Sequence, residues 1–164
     1  MSAAAAPPPA GPAPAPTAAP RVSFHFNVPD KTAYACRLLR KAWAAHARVA
    51  VLGEARALAA LDQALWTFDA RSFIAHCLDS APAHVQQASP ILLTAEPDRL
   101  TPGAIVLNLG QPVHERFTRE MGRFERLIEL VGVDAQDRAQ ARQRWSHYKA
   151  AGLEPEGHDA AAKR

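Results

Sequence analysis

Cysteine is scarce in this sequence: Cys36 and Cys77 are the only two in 164 residues, and they form no CxxC pair. That excludes a disulfide scaffold. The seven histidines are scattered, which excludes the close Cys/His spacing of a structural zinc site. No metal is expected, and both cysteines, set among apolar or alanine-rich neighbours, read as buried free thiols. Long apolar runs are missing as well. None approaches the roughly 20 residues that cross a bilayer, so no membrane span is expected and the chain reads as soluble and cytoplasmic. Phosphate-binding glycine loops are absent, with neither GxGxxG nor the GxxxxGK(S/T) loop present. The first predicted strand ends in Val28-Pro29-Asp30 without a glycine. The second ends in Leu52-Gly53-Glu54, where the carboxylate would repel phosphate. Neither a GxSxG elbow nor an HExxH pair occurs. A strong charge bias is lacking too, since a formal charge of +3 and a pI near 9.2 give only a mild basic excess. An acidic partner fits that excess as well as DNA does.

Proline, by contrast, is concentrated. Seven of the 14 prolines lie in the first 20 residues, otherwise nearly all alanine, so residues 1–21 are expected to form a disordered or polyproline-like tail. The tail lacks a cationic segment ahead of an apolar one and does not read as a secretory signal. Residues 22–153 read as one domain of core-forming length, and 154–164 as a flexible C-terminal tail.

Within the domain, Phe24, Phe26 and Val28 alternate with polar neighbours, which predicts a strand over Ser23–Val28. Asp30 is a suitable N-cap for a helix over Lys31–Ala47. A β-branched run, Arg48–Leu52, is followed by a helix over Glu54–Trp66 striped by Leu58, Leu61 and Leu65. Ser72–His76, Ile91–Thr94, Ala104–Leu109 and Phe124–Val131 read as further strands. Ser80–Ser89, which contains Pro82, runs into Pro90 and shows no periodicity, reads as a loop. A last helix runs over Asp134–Ala151 and stops at Gly152. The alternation predicts a three-layer, Rossmann-like α/β fold, a mostly parallel sheet with helices on both faces.

Two surface features suggest a task. Arg138, Arg142, Trp145 and Lys149 follow one another at steps of four, three and four, which on a helix places them in a band about 60° wide. Tyr148 lies beside it. Guanidinium groups bordering an aromatic seam suit an acidic peptide with an apolar end group, with Arg142 as the carboxylate clamp. The plainer reading is a solvated cationic face anchored in the core by Trp145. Trp66 and Phe73, at the end of the second helix and just after it, form either a satellite core cluster or the apolar centre of an interface. His25, His76 and His114 could serve as general bases, although isolated histidines more often pack or hydrogen-bond.

The segments Leu61-Asp62-Gln63-Ala64-Leu65-Trp66, Ser72-Phe73-Ile74-Ala75-His76 and Arg142 through Gly152 resemble, in order and spacing, the chi subunit family of DNA polymerase III. The resemblance extends over Val22–Leu153. It implies a Rossmann-like domain without catalytic activity or cofactor that joins the clamp loader through the psi subunit. It also implies binding to the acidic C-terminal tail of single-stranded-DNA-binding protein, which ends in proline and phenylalanine. DNA is then met only indirectly. By position, Trp66 and Phe73 fall on the psi-facing side. Val131, Arg138, Arg142, Trp145 and Tyr148 fall around the tail pocket, with Lys149 on the same helix face. The chain departs from the family at Trp145-Ser146, where a tyrosine and a lysine are common, leaving Arg144 or Lys149 to supply charge from nearby. Two other readings are a small Rossmann-like enzyme acting on a phosphorylated or acidic metabolite, and direct binding of single-stranded nucleic acid by the basic helix.

Overall fold

The computed structural model describes residues 19–113 and 115–162. The expected tail over residues 1–21 therefore falls, but for its last three positions, outside the described residues, as does His114.

Seven strands form a single parallel sheet in the order β3-β4-β2-β5-β6-β1-β7. They are β1 (Arg21–Val28), β2 (Val49–Leu52), β3 (His76–Leu78), β4 (Ile91–Thr94), β5 (Ile105–Asn108), β6 (Arg126–Gly132) and β7 (Glu156–Asp159). The helices are α1 (Lys31–Ala44), α2 (Ala55–Thr67), α3 (Ala83–Ala88), α4 (Glu115–Glu120) and α5 (Ala135–Ala150). A sheet covered on both faces must be apolar on both faces, and the central strands are. In β2, Val49 and Val51 pack under α1 and α2, while Ala50 faces the opposite core of α4 and α5. In β6, Ile128 and Leu130 join the first core, and Leu127 and Val131 the second. Cys36 and Cys77 are buried free thiols.

Four expectations are corrected. Ser72–Ala75 is not strand; β3 begins at His76, because the Asp69 carboxylate accepts from Arg71 N at 2.9 Å and Ser72 Oγ at 2.7 Å and holds the chain in a turn. Ser80–Ser89 is not all loop, since α3 starts directly after Pro82, a residue that begins a helix more readily than it continues one. Past Glu154 the chain does not fray: β7 pairs along β1 from Ser23 to Phe26. Strand β6 also starts at Arg126 rather than Phe124, and Phe124 instead stacks on Phe117 in the second core.

Helix α5 positions the site and is tied down at both ends. Asp134 caps it, accepting from Gln136 N and Asp137 N. Asp137 in the first turn accepts from Gly132 N at 2.7 Å and pairs with Lys31 at 2.6 Å, with its negative charge at the favourable end of the helix. At the other end Gly152 adopts φ +85°, the left-handed conformation that stops the helix.

Candidate functional site

The band on α5 borders an open hollow of about 360 Å³ at the carboxyl ends of β1 and β6. Its apolar surface comes from Phe24 and Phe26 of β1, Val131 of β6, and Ala141 and Trp145 of α5. Gly157 of β7 closes one side. Trp145 is half-buried, its ring 5.0 Å from that of Phe24. Asn27, Arg138 and Arg142 form the polar rim. Arg138 donates to Asn27 Oδ1 at 2.9 Å. Arg142 is exposed and has no hydrogen bond or ion pair among the described residues. A crevice outside the carboxyl ends of parallel strands is where open α/β sheets usually take ligands.

Of the residues assigned to this pocket from the sequence, Val131, Arg138, Arg142 and Trp145 are brought together. Tyr148 and Lys149 do not line the hollow. Tyr148 is 0% exposed and points into the sheet, because at 100° per residue it falls 60° beyond Trp145, toward the buried face of α5. Lys149 is exposed one turn further along. Arg144 is also turned inward and cannot supply charge to the hollow. Its Nε donates to Glu129 Oε2 at 2.9 Å, and both residues are buried.

Sequence reasoning missed Glu129 altogether. It stands in the middle of β6 with no contact with water, accepting from Arg144, from Tyr148 Oη at 2.6 Å and from Asn108 Nδ2 at 3.0 Å. Burial pushes its carboxyl above the ordinary range, opposed first by the Arg144 charge and then by the bonds from Tyr148, Asn108 and Arg144. Burial, followed by the neighbouring Glu129 charge, pushes the Tyr148 hydroxyl well above its usual value. This network rivets α5 to the sheet and so sets the height of Arg138, Arg142 and Trp145 over the hollow. A lone charged residue inside an apolar strand was its only sequence signal.

At the other end of the sheet, Trp66 and Phe73 are 57% and 58% exposed, with ring centroids 5.2 Å apart. They form a surface patch rather than a satellite core. Trp66 also lies edge-on to His76, 5.1 Å away. His76 itself is buried, bonded through Nδ1 to the Ile74 carbonyl at 2.6 Å, with Nε2 3.1 Å from the Asp62 carboxylate. His25 is bonded to the Tyr34 hydroxyl at 2.7 Å. Neither histidine lines the hollow. Among the described residues, no group of three or more His, Cys, Asp or Glu side chains could hold a metal ion, and no helix is long and apolar enough to cross a membrane.

The fold and its surface define a Rossmann-like α/β domain that carries an arginine-rimmed apolar hollow and a separate aromatic patch. The sequence model of the family described as DNA polymerase III chi subunit, HolC, matches residues 20–156, and the chain belongs to that family. It is thus of the kind of an accessory subunit of DNA polymerase III, with a role in DNA replication. No curated protein matches the chain.

Proposed function

We propose that this chain is a non-catalytic cytoplasmic adaptor that links the DNA polymerase III clamp loader, through a psi subunit, to single-stranded-DNA-binding protein. The hollow takes that protein's acidic C-terminal tail. The observation that carries the reading is the Arg142 guanidinium, unpaired among the described residues, at the mouth of an apolar hollow floored by Phe24 and Trp145. A terminal phenyl ring is buried against those rings while its carboxylate meets Arg142, and Arg138 faces the acidic residues upstream. The exposed Trp66–Phe73 pair supplies the aromatic centre of the psi interface. The two contacts are compatible, because β3 and β7 are opposite edges of a seven-stranded sheet, about 29 Å apart at roughly 4.8 Å per strand step.

Fluorescence anisotropy with a labelled acidic peptide ending in Pro-Phe tests the tail contact. Arg142→Ala is expected to weaken binding at least about tenfold, the loss of one charge-assisted hydrogen bond, and wild-type affinity should fall as salt rises without vanishing. Equal affinity of the two proteins would refute the clamp.

A further inference from the structure

We infer that the C-terminal strand β7 is a specificity element of the hollow, with Gly157 setting its depth and Asp159 positioning Arg138 through Asn27. This rests on the tail-peptide reading. It goes beyond family membership, because the family match ends at Glu156, the first residue of β7.

Gly157 pairs in register with Phe24 and lines the hollow. Its backbone is not in the left-handed region, unlike that of Gly103, Gly110 and Gly152, so chain geometry does not call for glycine there. Space does. A Cβ at this position would stand 3.3 Å from Phe26 Cε1, tighter than an ordinary contact, and would take room from any ring entering between Phe26 and Trp145. The missing side chain thus leaves the hollow deep enough for a bulky apolar end group.

Asp159 acts at the rim. Its Oδ1 accepts from Asn27 Nδ2 at 3.0 Å and from Ala161 N at 3.0 Å. A carboxylate only accepts, so the Asn27 amide must present its nitrogen to Asp159 and its oxygen outward. That oxygen receives Arg138. Asn27 can serve because β1 loses its regular register with β6 between His25 and Val28, and Asn27 itself sits at φ +58°, a conformation asparagine tolerates. The relay Asp159–Asn27–Arg138 therefore fixes one cation over the mouth, while Arg142 remains free to follow the ligand.

The experiment uses two labelled acidic peptides, one ending in Pro-Phe and one ending in Pro-Ala, against the full chain and its variants. Gly157→Val is expected to cut affinity for the Phe-ended peptide about tenfold or more and to erase the preference over the Ala-ended one, as overpacking of a filled site does; Gly157→Ala should fall between. Asp159→Ala is expected to weaken binding about fivefold in the wild-type background and not at all in the Arg138→Ala background, the non-additivity of coupled residues. A merely structural role for Asp159 would cost the same in both. Unchanged selectivity in both Gly157 variants, with circular dichroism showing the wild-type fold, would overturn the depth claim. Equal Asp159→Ala losses with and without Arg138 would overturn the relay. If the wild type binds and Arg142→Ala weakens it while every β7 variant matches wild type, the tail reading stands and this inference falls; if the wild type binds neither peptide, both fall.

Discussion

Replacing Glu129 by leucine keeps the volume of the side chain but strands Arg144, which lies buried with Glu129 as its ion-pair partner. Removing one member of a buried pair leaves an uncompensated charge, a loss of about 3–5 kcal/mol. Two other donors lose their acceptor. Asn108 Nδ2 keeps the Gln111 carbonyl at 3.0 Å, whereas the Tyr148 hydroxyl donates to Glu129 alone and is left unbonded, a further cost of about 1–2 kcal/mol. With a urea m-value of about 2 kcal/mol/M, the midpoint should fall by roughly 2 M or more, followed by far-UV circular dichroism. Stability should be recoverable. Adding Arg144→Met removes the stranded charge and should restore all but about 1–2 kcal/mol, and adding Tyr148→Phe should restore the remainder. A Glu129→Leu loss below about 1 kcal/mol, or a double variant as unstable as the single one, would refute the account of the rivet.

Tyr148→Phe alone should cost about 1–2 kcal/mol at neutral pH and should change the alkaline limb. The folded hydroxyl is raised above the ordinary value of 10.0, so the unfolded chain loses its proton first, and stability present below that pH is lost as pH rises beyond it; urea midpoints measured from pH 8 to 11 should decline more steeply in wild type than in the variant. Trp66→Ala and Phe73→Ala should each leave stability within about 0.5 kcal/mol of wild type, as exposed positions do, yet abolish co-purification with a psi subunit. Retention of that partner by both variants would remove the patch from the interface. The Arg142→Ala titration and the β7 variants complete the set.

Much of this molecule was legible from patterning. The alternation of Phe24, Phe26 and Val28 marked β1, and the short β-branched runs marked β2, β4 and β5 to within a residue or two. The spacing of Arg138, Arg142 and Trp145 marked one face of α5, and those residues do meet at the hollow. What periodicity could not read were pieces too short or too polar to carry a period. The strand β7, Glu-Gly-His-Asp, has no apolar residue and exists because β1 offers it an unpaired edge. The helix α3 is six residues long, under two turns. Tyr148, beside that band in the sequence, lies buried off the hollow, because a helical band tells which side chains share a direction, not which direction faces the sheet.

The amino-acid order alone determined the alternation of strand and helix, the absence of a phosphate loop and the single helix face on which cations and an indole collect, because each of these depends on neighbours a few residues apart. Only tertiary structure decided that Arg144 and Tyr148 turn inward to Glu129, that Arg142 stays unpaired among the described residues, and that β7 folds back to wall the hollow. Those outcomes depend on groups 15, 19 and 21 residues apart in the rivet, and 132 apart between Asn27 and Asp159, and on burial, which makes an unpaired charge too costly to leave inside and a paired one worth keeping.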